Sequence, residues 1–351
     1  MMIRFRFAVL FLSFFFPFQV FSAEPAPDTA TPLLDSDPVV LSHERRDTSD
    51  GWIELMETKH FSIAACCIDG RSSEDDGFVR ELPVLGLDEK GSIVIGVCDG
   101  HHTFEFEGEN WVMGKIAEIL PGKFVTEAGT VGGSRFLSDA CLALDDEIKS
   151  GGADLFGSTL NCAVLFPDGR VSVVNVGDSK AALYTFGAGW DCCLPERYSS
   201  KTIMHDTYNV AEVERIKLAG GIVRRHPIDG EMRVSDCLNV TSTIGDHAEY
   251  NYSPADRSKK LLLAGGDVYE WRFRKRRGEI EFLLLGTDGF WMESDNLFSG
   301  RGTDGGYFVY DRLLRGEPLE SIVQSLARLA VGTQRKDLRD DITVMIAVPK
   351  K

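Results

Sequence analysis

Carboxylates at the ends of apolar runs carry the chemistry open to this sequence. The run Ser92 to Cys98 stops at Asp99, followed by Gly100 and His101. The run Glu281 to Gly286 stops at Thr287, Asp288 and Gly289. Val176 leads into Gly177, Asp178 and Ser179, and the closing run opens on Asp340, Asp341 and Ile342. After Phe61 to Ile68 come Arg71, Glu74, Asp75 and Asp76. An Asp set directly after a buried strand is costly unless it meets solvent or a cation. One alone reads as a turn residue. Several in one chain favour a shared divalent site, and oxygen-only ligation suits magnesium or manganese.

Strands must position those carboxylates. Runs rich in Val, Ile, Leu and Phe predict strands at Phe61 to Ile68, Ser92 to Cys98, Thr159 to Phe166, Val171 to Val176, Ala181 to Phe186, Glu281 to Gly286 and Ile342 to Val348. Pro167, Asp168 and Gly169 make a turn between two of them, hence a hairpin. Two stripes have helical spacing and read as core faces. One is Phe136, Leu137, Ala140, Cys141, Leu144 and Ile148; the other is Leu319, Ile322, Val323, Leu326, Ala327 and Ala330. This order predicts an α+β layered fold with antiparallel sheets.

The chain has 351 residues, 43% hydrophobic and 26% charged, which excludes a disordered or fibrous class. Its net charge of −16 excludes a general binder of nucleic acid or of an anionic membrane. Arg4 and Arg6 precede an apolar run from Phe7 to Phe21, with Val20 and Ser22 placed for cleavage before Ala23. That order predicts a secretory signal at residues 1–22 and no membrane attachment after cleavage. Residues 23–51, with Pro25, Pro27, Pro32 and Pro38, read as a flexible leader, and residues 52–351 as one domain. Cys66, Cys67, Cys98 and Cys162 sit inside apolar runs and read as buried thiols, while neighbouring Cys192 and Cys193 could cross-link in an oxidising space.

These pieces together resemble the metal-dependent serine/threonine protein phosphatases of type 2C. The resemblance runs in order over about residues 60–348. It rests on Val97-Cys98-Asp99-Gly100-His101, Phe156-Gly157-Ser158-Thr159, Val174 to Ala181 around Gly177-Asp178-Ser179, Phe282 to Trp291 around Asp288-Gly289, and Asp340-Asp341-Ile342-Thr343-Val344. Glu212 to Val223 and Gly245-Asp246 match more loosely. The resemblance implies a central β-sandwich of two antiparallel sheets flanked by helices, with two divalent cations, Mg or Mn, at one end. Asp99 would bridge both ions and the Gly100 carbonyl would hold one of them. Asp288 and Asp340 would hold the other. An acidic residue after Arg71 completes the set: Asp75 is favoured, with Glu74 and Asp76 as alternatives. Arg71 would grip the substrate phosphate through its planar fork, and His101 would protonate the leaving alcohol. The implied reaction is attack of a hydroxide bridging the two ions on phosphoserine or phosphothreonine of a phosphorylated protein. The signal segment makes this a secreted enzyme, expected to be a monomer, one that could be delivered to another cell or compartment.

The departures from the family pattern have chemical weight. Asp341 stands where Asn is usual, and Thr241-Ser242-Thr243 replaces Ser-Arg-Ala, so an arginine is lost. Met292 stands where many members carry an Asp, which counts against a third ion despite Asp178; Glu293 is the neighbour that could substitute. Arg272, Arg274, Lys275, Arg276 and Arg277 read as a solvated hairpin, with docking of acidic substrates or a nuclear import signal as functional alternatives. Two other functions compete with the active phosphatase. One is a catalytically weak or inactive relative acting as a binding or regulatory module, against which the intact Asp99, Asp288 and Asp340 argue. The other is a phosphatase of small molecules, separable by its substrates.

Overall fold

The computed structural model describes residues 39–69, 75–82, 89–101, 109–151, 156–187, 196–227, 230–247, 261–291, 305–334 and 340–351. The signal predicted at 1–22, Cys192 and Cys193 lie outside the described residues.

Strict alternation along apolar strands builds three layers of core. In β3 (Phe61–Ile68), Phe61, Ile63, Ala65 and Cys67 point one way, and Ala64, Cys66 and Ile68 the other. Both faces are buried, which explains a run with no polar alternation. The first sheet takes β1 (Val40–Thr48), β2 (Gly51–Thr58), β3, β16 (Ile342–Pro349), β15 (Ile280–Gly286), β9 (Lys180–Gly187) and β10 (Glu196–Lys201), in that spatial order. The second takes β13 (Ile244–Gly245), β6 (Gly157–Ser158), β5 (Ile93–His101), β7 (Leu160–Leu165), β8 (Arg170–Val176) and β14 (Asp267–Arg272), with β4 (Asp75–Glu81) paired to β5. The pairings are antiparallel.

Between the sheets lie Ile93, Ile95, Val97, Leu283, Leu285, Met345 and their neighbours. Helices α1 (Glu109–Lys123) and α2 (Ser134–Ser150) cover the outside of the second sheet, where Leu137, Cys141, Leu144 and Ile148 meet Cys98, Cys162 and Val174. Helices α4 (Gly305–Leu314) and α5 (Leu319–Thr333) cover the first sheet through Val309, Ile322, Val323 and Leu326. A smaller core joins α3 (Val210–Leu218) to the two-stranded pair β11 (Val223–Arg225) and β12 (Met232–Val234) through Ile216, Val223, Val234 and Leu262. Each fully buried Val, Leu, Ile or Phe contributes roughly 1.5–3 kcal/mol. That apolar stack holds together an end of the sandwich that carries crowded charge.

The seven predicted strands, the turn at 167–169 and both predicted helices are present. Two expectations need correction. Residues 40–48 are not leader: they pair with β2 along its whole length, so the fold includes residues before 52. The basic stretch is not a hairpin. β14 pairs with β8 and β15 with β9, so residues 273–279 cross from one sheet to the other. That crossing lies at the end where Arg272 meets Arg170, away from the end where Val176 leads to Asp178.

Candidate metal centre

The inter-sheet face of four strands runs out at one end into polar residues. On β5, Ile93, Ile95 and Val97 face the central core, and Asp99 continues that face. On β4, Val79 faces the same core, and Asp75 sits directly opposite Asp99. On β15, Leu283 and Leu285 are followed by Thr287, and on β16 Thr343 precedes Met345. Thr287 ties these ends together. Its Oγ1 donates to Asp75 Oδ2 at 2.7 Å and accepts from the Thr343 N–H at 3.1 Å. Asp288 is the next residue.

The pleat separates Asp75 from Asp76. Asp75 is buried and turned inward. Asp76 has the opposite facing, and its Oδ1 accepts from Arg45 Nη2 at 2.8 Å and from the Gly77 N–H at 2.7 Å. The structure therefore brings Asp75 to the cluster and turns Asp76 away. Arg71 and Glu74, like Met292 and Glu293, lie outside the described residues.

Asp99, Asp178 and Asp288 each present an oxygen within 4.8 Å of the other two. They line a cleft of about 330 Å³ with Gly100, His101, Asp340, Thr159, Arg233 and residues 237–240. Asp340 is exposed at the wall of this cleft, with Asp178 in the close trio. The family resemblance implies Asp340 as a ligand and leaves Asp178 a doubtful contributor; both line this cleft. The turn explains Asp178. Gly177 has φ +96°, and a Cβ there would meet Thr159 Cβ at 2.8 Å, so only glycine lets the chain double back over Thr159. Thr159 also fixes Asp99: its Oγ1 accepts from the Asp99 N–H at 3.1 Å, and its N–H donates to the Asp99 carbonyl at 2.9 Å. Thr159 Oγ1 lies 2.7 Å from Ser179 Oγ, closing the link to the Asp178 turn.

The trio and its neighbours are electrostatically frustrated. Burial, and then the charges of Asp75, Asp288, Asp340 and Asp178, push the Asp99 carboxyl well above the usual carboxylate range. Burial and then Asp288 and Asp206 do the same to Asp178. Burial raises Asp75 too, opposed by the Thr287 hydroxyl and reinforced by Asp340 and Asp341. Asp178 Oδ1 is buried with no hydrogen-bond partner among the described residues. Hard, converging oxygens with an orphaned acceptor among them fit a magnesium or manganese site, and a bound divalent ion is what would return these groups to the ionised form. Asp99, Asp178 and Asp288, together with Asp75 and Asp340 beside them, would hold such ions.

Asp341, the departure beside Asp340, is buried, and its N–H donates to Asp340 Oδ1 at 3.1 Å. Thr241, Ser242 and Thr243 are buried in the place of the lost arginine. Arg215 of α3 reaches that segment instead, donating to the Thr241 carbonyl at 2.9 Å. Sequence reasoning missed Arg233 as a cleft residue and missed the partner of His101. That partner is Asp246, whose Oδ2 accepts from His101 Nε2 at 2.7 Å. The Gly245-Asp246 motif was the available signal.

A two-sheet sandwich that gathers carboxylates for divalent ions at one end defines a metal-dependent class of α+β protein. The sequence profile described as Protein phosphatase 2C matches residues 47–296. The chain belongs to the protein phosphatase 2C family, whose members depend on divalent metal. It is 27% identical over 264 residues to "Probable protein phosphatase 2C 74" of Oryza sativa subsp. japonica, covering 73% of this chain and 57% of that protein. It is 30% identical over 297 residues to "Probable protein phosphatase 1N" of Mus musculus, covering 82% of this chain and 65% of that one. The match to "Protein phosphatase ppm-1.G" of Caenorhabditis elegans spans 32% of that protein, so this chain matches about a third to two thirds of these relatives. The fold is that of the crystal structure of "serine-threonine phosphatase 2C from Toxoplasma gondii", at TM-score 0.65 and 17% identity, covering 88% of this chain and 99% of that one.

Proposed function

We propose that this chain is a protein phosphatase that hydrolyses phosphoserine and phosphothreonine with two divalent ions. The observation that carries the reading is the approach of Asp99, Asp178 and Asp288 to within 4.8 Å of one another in a cleft that also presents His101. When bound, two such ions would supply a water acidic enough to attack at neutral pH and positive charge to offset the phosphoryl oxygens. The chain's own residues hold and aim. The carboxylates fix the site at the end of a rigid core. His101 delivers a proton to the departing seryl or threonyl oxygen, a step worth ~10²–10⁴ in rate. Arg71, assigned by the family resemblance, binds the phosphate. Burial pushes the Cys66 and Cys141 thiols up to about 12, so neither is a thiolate nucleophile at neutral pH.

The proposal includes export, supported by Arg4, Arg6 and the apolar run to Phe21, and action as a monomer. A reporter fused to residues 1–30 should leave the cytosol, with the mature chain beginning near Ala23; a cytosolic reporter retaining Met1 would count against export. The activity is tested by manganese-dependent phosphate release from a phosphothreonine peptide, set against a panel of phosphorylated metabolites. Faster turnover of a metabolite would replace the protein-phosphatase reading.

A further inference from the structure

His101 is held from outside its own strand. Asp246 Oδ2 accepts from its Nε2 at 2.7 Å, with side chains 16% and 4% exposed. Several independent features build this contact. β13, β6 and β5 lie side by side, so Gly245 pairs with Gly157 and Gly157 pairs with His101. Gly157 sits between the two partners, and a Cβ on it would overlap the Asp246 carboxylate. The carboxylate crosses the space that a side chain at 157 would fill. Asp246 itself has φ +54°, in the left-handed region that Asp adopts more readily than most side chains.

A second layer grips the residues on both sides of Asp246. Asp145, buried on α2, accepts from the Gly245 N–H at 2.9 Å. The same Asp145 Oδ1 lies 3.1 Å from Nε2 of His247, and both side chains are almost wholly buried. His247 Nε2 also lies 3.1 Å from the Asp145 main-chain carbonyl, so Asp145 fixes Gly245 and His247 at once. α2 packs its Leu137, Cys141 and Leu144 against the sheet, so the clamp is anchored in the core.

We propose that Asp246 is a positioning residue for His101, clamped in place by Asp145 and His247; this rests on the phosphatase reading above. A carboxylate on one imidazole nitrogen fixes the ring plane and directs the proton chemistry to the other. The P–O bond to the serine or threonine oxygen breaks, its electron pair stays on that oxygen, and the proton on His101 Nδ1 moves to it. A neutral imidazole remains, donating through Nε2 to Asp246.

The test compares wild type, Asp246→Asn, Gly157→Ala, His101→Ala and the double variant Asp246→Asn/His101→Ala at saturating manganese. The substrates are a phosphothreonine peptide and p-nitrophenyl phosphate, whose leaving group needs little protonation. Asp246→Asn should lower kcat on the peptide by ~10–10²-fold, within the range of a general acid's contribution, with little change in KM. Its loss on p-nitrophenyl phosphate should be several-fold smaller. Gly157→Ala should show the same split without altering the carboxylate, and carries the test if Asp246→Asn fails to fold. Adding Asp246→Asn to His101→Ala should cost nothing further, because it acts through the absent ring. Equal losses on both substrates, or full loss on the His101→Ala background, would overturn this inference alone. A wild type that releases phosphate from neither substrate would overturn the proposed function and this inference with it.

Discussion

Asp75 and Asp99 face each other across the antiparallel pair of β4 and β5, on the face where the two sheets meet. Two carboxylates in that register repel unless something positive lies between or beside them. Their neighbour Asp76 belongs to the other face and to Arg45. Asp75→Asn should therefore raise the manganese concentration for half-maximal activity by about tenfold, of the order seen when groups around a metal are removed. Asp76→Asn should leave that titration within about twofold, its exposed ion pair being worth under about 1 kcal/mol. A metal titration of phosphate release checks both, and a larger shift for Asp76→Asn would reassign the ligand.

The crowded carboxyls make metal-free stability depend on pH with a definite sign. Burial and mutual repulsion raise Asp75, Asp99 and Asp178 in the folded state. The folded chain then binds more protons than the unfolded chain above the ordinary carboxylate range, so their contribution is full below about pH 4 and is lost as pH rises. Asp99→Asn removes one of the charges. In EDTA its thermal midpoint should exceed that of wild type at pH 7–8, with the gap closing toward pH 4. Manganese should raise the wild-type midpoint more than the variant's. Thermal melts over pH 4–8, with and without metal, read the effect.

Thr287 bridges the two sheets at the site, donating to Asp75 and accepting from the Thr343 N–H. Thr287→Val keeps the shape and leaves both partners unsatisfied. The expected cost is about 1–3 kcal/mol in urea unfolding, from two buried groups losing one hydroxyl. Phosphatase activity should also require more manganese.

Gly177→Ala should act on the Asp178 turn. Its φ of +96° disfavours any side chain, and Thr159 occupies the space. The strain costs of order 1–3 kcal/mol, and relaxing it moves Asp178 away from Asp99 and Asp288. The check is a urea melt beside a metal titration: lower stability together with weaker metal activation.

The strands that build the site were legible because both their faces are apolar. Seven such runs stand out, and Asp99, Asp178, Asp288 and Asp340 stand out as the charges at their ends. β1 was not legible: it is polar and almost wholly exposed at a sheet edge, held by pairing with β2 and by pairs such as Arg45 with Asp76, not by burial. β4 begins Asp75-Asp76-Gly77, which reads as a turn, and only its register against β5 shows which carboxylate faces inward. α1 contains Pro121, which argues against a helix when read locally. The pair His101–Asp246 joins residues 145 positions apart, and no local pattern connects them.

The most direct test of the central claim is phosphate release from a phosphothreonine peptide by wild type and Asp99→Ala, each titrated with manganese after treatment with EDTA. Wild type should be inactive without metal and saturable with it. Asp99→Ala, which removes one of the three oxygens that converge within 4.8 Å, should stay folded and stay below about a tenth of the wild-type rate at every manganese concentration. Metal-independent release by wild type, or an Asp99→Ala protein that retains more than that tenth at saturating manganese, would contradict the account.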